Sequence, residues 1–228
     1  MTKDAAQHTP PKVTRFTLGP YQTNCYIVTP AQDDTTSFII DCGMQAEPLL
    51  DAIGTLPSPP GAIILTHAHI DHIAGLHEAR RRFPAVPIWI HEREENWLLD
   101  AEANLSALGG FPTTAPPADR LLTHGETLSL AGHEWEVRHT PGHSPGSITL
   151  WSRSAALAFV GDALFQGSIG RTDFPGCSFD ELAESIRTQL YTLPPETVIL
   201  PGHMEASTIA AERESNPFVR PIEYPPGT

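Results

Sequence analysis

The chain has 228 residues, which is long enough to bury a hydrophobic core without disulfide staples. Its 23 prolines and 17 glycines divide the sequence into short elements, so long helical bundles and coiled coils are excluded. Acidic residues outnumber basic ones by 27 to 14, giving a net charge of −13, and no basic stripe is present that would bind nucleic acid.

Compartment is indicated by the N-terminal residues and the cysteines. Met1–Lys12 is polar and lacks the apolar segment of a signal peptide, and no apolar run of 18 residues follows it. Cys25, Cys42 and Cys177 show no C-x-x-C spacing, which predicts free thiols in a reducing compartment. We therefore expect a cytoplasmic protein with neither a membrane nor a nucleic-acid partner.

The first half alternates strand and helix patterns. Short β-branched and aromatic runs predict strands, and stretches with helical spacing follow the later ones. Glycines and prolines over Ala101–Arg120 predict a long surface loop. The predicted strands are Val13–Leu18, Asn24–Thr29, Ser37–Asp41 and Ala62–Thr66, and the predicted helices are Glu47–Ile53, His72–Phe83 and one that starts at Glu92.

The second half repeats this pattern, with one predicted helix at Phe179–Leu190. Two halves that each combine strands with helices predict an α/β (α+β) fold, a four-layer αββα sandwich with two sheets face to face and helices outside. We expect one domain over 13–216, with halves 13–125 and 126–216, between a polar tail at 1–12 and a proline-rich tail at 217–228. The predicted strands are Thr127–Leu130, Glu134–His139, Ser147–Trp151, Leu157–Val160 and Thr197–Leu200.

A run of potential metal ligands follows the strand at Ala62–Thr66. His67, His69 and Asp71 project to one side of an extended segment, and the helix start turns His72 inward. The alternative is that Asp71 caps the helix and the histidines form a polar patch. The metal interpretation is favoured because each buried histidine would otherwise need its own hydrogen-bond partner.

Three further candidate ligands stand beside glycines at the ends of predicted strands: His143, Asp162 and His203. Taken singly, each could be an ordinary turn residue. Together with the first run they make seven ligand groups. That number exceeds the need of one tetrahedral structural zinc and suits two ions that share a bridging carboxylate and a water.

The order His-x-His-x-Asp-His, Pro-Gly-His, Gly-Asp and Pro-Gly-His resembles the metallo-beta-lactamase superfamily over about residues 16–218. The segment Gly167–Gly176 and the stretches 19–26, 40–43 and 212–218 are similar to short, single-domain glyoxalase II-like hydrolases. The resemblance implies the αββα sandwich of that superfamily and two divalent metal ions, with zinc foremost and iron or manganese also compatible.

The same resemblance implies a role for each ligand. One ion would be held by His67, His69 and His143, the other by Asp71, His72 and His203, with Asp162 bridging them. Asp41 would orient a ligand histidine, although an ordinary turn residue at a strand end is the alternative.

The resemblance to glyoxalase II-like hydrolases implies hydrolysis of a small-molecule thioester of the S-2-hydroxyacylglutathione type, S-lactoylglutathione to glutathione and lactate, by a metal-bridging hydroxide. A thioester suits the site because a thiolate leaves without prior protonation. Asp71 would ligate a metal and orient the hydroxide. Arg171 and Phe174 are the candidates for contacting the glutathione moiety, and the alternative for Arg171 is a structural surface pair with Asp173.

Other activities remain as alternatives. A persulfide dioxygenase, which Gly170–Phe174 also resembles, would use one iron at His67, His143 and Asp162, but such enzymes tend to carry alanine in place of Gly202. A lactonase would share the dinuclear site and leaves no characteristic signature. A secreted beta-lactamase is disfavoured by the missing signal peptide, and a non-enzymatic metal-binding protein by the open water position.

Overall fold

The computed structural model describes residues 9–31 and 36–221, and its first half contains a six-stranded sheet. Its strands are adjacent in chain order; the first three run antiparallel and the rest continue parallel to the third. They are β1 Lys12–Leu18, β2 Thr23–Thr29, β3 Phe38–Ile40, β4 Ile63–Ile64, β5 Ile88–His91 and β6 Arg120–Leu122.

The second half contains another six-stranded sheet within the described residues, together with a small hairpin. Its strands are β7 Thr127–Leu130, β8 His133–His139, β9 Ile148–Ser152, β10 Leu157–Gly161, the hairpin β11 Leu164–Phe165 and β12 Ser168–Ile169, β13 Val198–Pro201 and β14 Ser207–Thr208. The order is β14-β13-β10-β9-β8-β7, and β10 and β13 are parallel.

Short helices accompany both sheets. The first half contains α1 Glu47–Gly54, α2 Ile70–Ile73, α3 Leu76–Arg82 and a 3₁₀ helix at Glu92–Leu99. The second half contains α4 Phe179–Ser185, which continues into π-helical residues Ile186–Leu190, and α5 Ile209–Ser215.

Alternating side chains on the strands divide the core into layers. On β2, Tyr26 packs between the sheets against Phe159 of β10, with ring centroids 5.2 Å apart, while Ile27 joins the cluster beneath α1 and α3. On β10, Ala158 joins the cluster beneath α4 and α5. Each large apolar side chain buried this way stabilises the fold by about 1.5–3 kcal/mol. The predicted four-layer αββα sandwich is confirmed.

Most predicted strands agree with the structure to within two residues, but one predicted helix is wrong. The stretch predicted as His72–Phe83 is two helices, α2 and α3, with a break at Gly75. Gly75 lies so close to the turn after β3 that an added Cβ would come within 2.7 Å of Cys42 Sγ. The helix predicted from Glu92 is a 3₁₀ helix, and the long loop ends at Arg120, where β6 begins.

The predicted tails lie partly outside the described residues, which exclude 1–8 and 222–228. The bounds 13–216 therefore stay a prediction. Where the second tail is described, Val219 is buried, and its carbonyl accepts a hydrogen bond from the Tyr191 hydroxyl at 2.9 Å. Over the described ranges, no helix combines the length and apolar character that crossing a membrane requires.

Candidate metal centre

The seven predicted ligands meet at one edge of the sandwich, where strands of both sheets end. The first half supplies four of them just after β4, and the second half supplies one after each of β8, β10 and β13. The described residues form three groups whose ligand atoms lie within 4.8 Å of one another: His67, His69 and His143; His67, His72 and Asp162; Asp71, His72 and His203. The first and third groups are the two sets that the resemblance implies.

Backbone carbonyls fix the orientation of two ligand histidines. His143 Nδ1 lies 2.8 Å from the carbonyl of Arg171, and His203 Nδ1 lies 3.1 Å from that of Tyr21. A carbonyl can only accept, so each Nδ1 carries a proton and Nε2 is the ring nitrogen left for a metal. Both Nε2 atoms face the centre of the cluster, so each ring presents to it the nitrogen that would coordinate a metal.

Asp41 does the same for His72. Its Oδ2 lies 2.8 Å from His72 Nδ1 and accepts the Thr66 hydroxyl at 2.8 Å, while its Oδ1 accepts the Thr66 N–H at 2.8 Å. Thr66 Oγ1 lies 3.1 Å from His67 Nδ1. Asp41 has a positive φ of 58°, so the backbone turns sharply to hold this carboxylate beneath two histidines. Asp41 is thus placed to orient His72, and Thr66 was not among the predicted site residues.

Asp162 faces both ligand groups. Its Oδ1 lies 3.5 Å from His72 Nε2, while its Oδ2 lies 3.5 Å from His143 Nε2 and 3.3 Å from His203 Nε2. Each oxygen is therefore directed to a different part of the cluster, as a bridging carboxylate would be.

Asp71 makes its contacts through one oxygen. Asp71 Oδ2 lies 3.2 Å from His203 Nε2 and accepts a hydrogen bond from the Thr23 hydroxyl at 2.8 Å. Thr23 begins β2 and is buried, so it holds the carboxylate in one orientation. Thr23 was not among the predicted site residues, although it lies in the stretch 19–26 that resembles the glyoxalase II-like hydrolases.

Burial and charge set the protonation of these groups. Burial lowers the pKa of His69 to about 3, so this imidazole is neutral at pH 7 and can donate a lone pair. Burial would lower the pKa of His203 as well, but hydrogen bonds to Asp162 and Asp71 raise it to about 10. Burial would raise the pKa of Asp162, whereas the charge of His72 lowers it well below the usual range. The carboxylates are therefore ionised and attract positive charge.

Four buried polar atoms of the cluster have no hydrogen-bond partner among the described residues: His67 Nε2, His69 Nε2, His72 Nε2 and Asp162 Oδ1. Buried polar atoms are nearly always satisfied in proteins, so four neighbouring exceptions indicate a binding site for a cation. All are nitrogen or oxygen donors, which suit zinc, iron and manganese. The residues therefore fit a divalent metal site.

Glu94 joins the two loops that carry the first ligand group. It is fully buried and accepts hydrogen bonds from the N–H groups of Ala68 at 2.5 Å and Gly146 at 2.7 Å. Ala68 lies between two ligand histidines, and Gly146 lies three residues after His143. Burial raises the pKa of Glu94, and these hydrogen bonds counteract the rise. Glu94 was not among the predicted site residues, because it lies in an acidic run that resembles an exposed helix face.

We expect Glu94→Ala to lower the free energy of unfolding by at least about 2 kcal/mol, because two buried N–H groups would lose their acceptor at about 1–3 kcal/mol each. Urea unfolding measures this loss. Glu95→Ala is the matched control, since Glu95 is exposed in the same segment and should change stability little. Equal stability of the two variants would contradict the role of Glu94.

A pocket of about 760 Å³ opens onto the cluster. Both predicted substrate-binding residues line it. Arg171 donates two hydrogen bonds to Asp173, each at 2.9 Å, and its guanidinium lies 4.2 Å from the centre of the Phe174 ring. The surface pair weighed in the sequence analysis therefore exists, and it stands at the pocket mouth. The ligands that line the pocket are His69, Asp71, His143, Asp162 and His203.

A family model described as the metallo-beta-lactamase superfamily matches residues 18–203 of the chain. Among curated proteins, "Probable metallo-hydrolase YqgX" of Bacillus subtilis is 40% identical, covering 90% of this chain and 96% of the relative. "Hydroxyacylglutathione hydrolase GloC" of Haemophilus influenzae is 37% identical, covering 87% of this chain and 93% of the relative.

Two solved structures are similar to the chain over nearly its whole length. BLEG-1, described as a B3 metallo-beta-lactamase, is 41% identical with a TM-score of 0.85, covering 91% of this chain and 99% of that one. TTHA1623 in a di-iron-bound form is 36% identical with a TM-score of 0.77, covering 91% of this chain and 100% of that one.

Proposed function

This chain belongs to the metallo-beta-lactamase superfamily, and from that premise we propose that it is a hydrolase with two metal ions that cleaves thioesters of the S-2-hydroxyacylglutathione type. Hydrolysis of S-lactoylglutathione to glutathione and lactate is the reaction to test first. One observation carries the proposal: Asp162, which lines the pocket, lies against ligands of both groups, with Oδ1 3.5 Å from His72 Nε2 and Oδ2 3.5 Å from His143 Nε2. The name of the GloC relative supports the choice of thioester.

Two divalent ions in such a site supply Lewis acidity and lower the pKa of water toward neutrality. His67, His69 and His143 would hold one ion, and Asp71, His72 and His203 the other, with Asp162 between them. The di-iron form of TTHA1623 supports paired metals and leaves zinc, iron and manganese all open for this chain.

The protein's own groups orient the reactants. Asp71 Oδ2 is engaged by Thr23 and His203, whereas Oδ1 makes none of the hydrogen bonds or ion pairs found among the described residues. Because Asp71 lines the pocket, Oδ1 is available to accept a hydrogen bond from the attacking water. Asp71 thus orients the nucleophile while Thr23 keeps its carboxylate from rotating.

The leaving group accounts for the choice of a thioester over an amide. A thiol has a pKa near ~8.5, so the thiolate departs without first taking a proton. A site built from histidine ligands and ionised carboxylates needs no separate general acid for that step.

We also place the reaction in the cytoplasm, on the ground that Cys25, Cys42 and Cys177 are free thiols.

The experiment that tests the proposal measures metal content per chain after anaerobic purification, with S-lactoylglutathione hydrolysis and persulfide-dependent O₂ uptake assayed on the same sample. Two metals with thioester cleavage are expected. One iron with O₂ uptake would overturn the proposal in favour of the dioxygenase. That alternative would use His67, His143 and Asp162 and would leave the group of Asp71, His72 and His203 without a metal.

We expect Arg171→Ala to raise KM for S-lactoylglutathione about fivefold with kcat within twofold. The reason is that an exposed ion pair between Arg171 and the glutathione moiety would stabilise the ground state and the transition state alike, by about 1 kcal/mol. Initial rates over a range of substrate concentrations measure this. Arg153→Ala is the control, since Arg153 is an exposed arginine stacked on Trp151 and is not among the residues that line the pocket. An unchanged KM would assign Arg171 to the structural pair with Asp173.

A further inference from the structure

The loop at residues 101–113, hereafter the 101–113 loop, has a fixed conformation despite its lack of regular structure. Asn104 is fully buried; its Oδ1 accepts the Ser106 N–H at 2.9 Å, and its Nδ2 donates to the carbonyl of Thr113 at 2.8 Å. Ser106 Oγ accepts the Thr113 N–H at 2.9 Å. Two buried polar side chains therefore tie the start of the loop to its end.

The same loop is attached to the metal centre. The N–H of Ile70, which lies between ligands His69 and Asp71, donates to the carbonyl of Asn104 at 2.9 Å. The next residue, Leu105, has a φ of +67°, a left-handed conformation that residues other than glycine rarely adopt. The hydrogen bonds of Asn104 hold Leu105 there, and unusual backbone of this kind is concentrated at functional sites.

The 101–113 loop contributes an apolar wall to the pocket. Leu105 and Leu108 line it from the loop, and Tyr21, Ile169 and Met204 line it from elsewhere. Leu108 is 69% exposed, Tyr21 57% and Met204 54%. Large apolar side chains grouped at the mouth of a pocket indicate a ligand surface that covers them.

The pocket has few basic side chains with which to recognise a substrate. Among the described residues that line it, Arg171 is the one lysine or arginine, and it also pairs with Asp173. Contacts with apolar surface must therefore account for most of the discrimination between substrates. Within the S-2-hydroxyacylglutathione class proposed above, the part of the thioester that differs between substrates is its acyl group.

We propose that the 101–113 loop is an acyl-specificity loop, in which Leu105 and Leu108 select thioesters with a branched or aromatic acyl group over those with a short one. The proposal rests on the thioesterase function proposed above. It assigns the substrate class within that function: 2-hydroxyacyl thioesters with a bulky apolar substituent.

The test compares kcat/KM for S-mandeloylglutathione, which carries an aromatic acyl group, with kcat/KM for S-lactoylglutathione. Wild-type protein should favour the aromatic substrate at least about tenfold, the range that hydrophobic pockets achieve for small apolar groups. Leu108→Ser should reduce this ratio about tenfold. Leu99→Ser is the matched control because Leu99 is 56% exposed just before the loop and is not among the pocket residues, so it should leave the ratio unchanged.

A binding measurement separates this proposal from the thioesterase function. S-benzylglutathione and S-methylglutathione are thioethers that cannot be hydrolysed, and calorimetry gives their dissociation constants with the metal-loaded protein. The benzyl compound should bind about tenfold more tightly, and Leu108→Ser should remove the difference. Equal affinities, or a difference that Leu108→Ser leaves intact, would overturn the specificity loop. Failure to cleave either thioester with both metals bound would instead overturn the thioesterase function.

Discussion

Asp162→Asn is expected to abolish paired metal binding and to reduce kcat/KM by at least roughly 10³-fold, equivalent to about 4 kcal/mol of transition-state stabilisation. The two oxygens of Asp162 approach His72 on one side and His143 and His203 on the other, at 3.3–3.5 Å. Asparagine has nearly the same size but carries no charge, and its amide nitrogen donates where Asp162 accepts. Both ligand groups would therefore lose the anion that they share.

Metal content per chain by atomic emission, measured with thioesterase rates on the same preparation, checks this result. Asp180→Asn is the control because it makes the same chemical change at an exposed carboxylate in the first turn of α4. Retention of two metals and full activity by Asp162→Asn would remove the bridging assignment.

Gly202→Ala is expected to abolish binding of the ion that Asp71, His72 and His203 would hold. A Cβ at this position would collide with Asp162 Oδ1 and come within 2.6 Å of His72 Cε1. The backbone cannot retreat, because the Gly202 N–H donates to the carbonyl of Gly161 at 2.8 Å and its carbonyl accepts the N–H of Asn24 at 2.6 Å. The side chains of Asp162 and His72 must therefore move, and hydrolysis should fall about 100-fold.

The measurement is the metal-to-protein ratio, expected to fall from two to one, since the atoms nearest to the added Cβ belong to Asp162 and His72. Gly54→Ala serves as the control: an added Cβ there meets only Arg82 Nη2, at 3.9 Å, and alanine suits the end of a helix. Two metals bound by Gly202→Ala at wild-type affinity would show that the space beside Asp162 is not needed.

The candidate ligands could be predicted from sequence because each follows a predicted strand, whereas their division between two metal ions came from the resemblance to the superfamily. Four ligands follow one apolar strand, and His143, Asp162 and His203 each stand beside a glycine after a strand, so strand ends alone bring them to one edge. Long-range partners have no such signal. Nothing in the acidic run distinguishes Glu94 from exposed Glu92 and Glu95 until the chain folds.

The break in the helix predicted at His72–Phe83 and the unpredicted helix α5 likewise depend on contacts between residues far apart in the sequence. The apolar spacing of His72–Phe83 is compatible with one helix, and only the close approach of Gly75 to Cys42 and Ala46 shows why it breaks there. Helix α5 is short and charged, and its position depends on Glu212, which is buried by contacts with residues distant in the sequence.

The division of ligands between the two halves has a thermodynamic consequence. Neither half alone carries a full ligand group around His143 or His203, so an ion can bind tightly only when both halves are folded and docked. Free ion at about 1,000 times its dissociation constant then adds about 4 kcal/mol to the stability of the docked state. The supply of metal would thereby govern how long the folded chain survives as well as how fast it works.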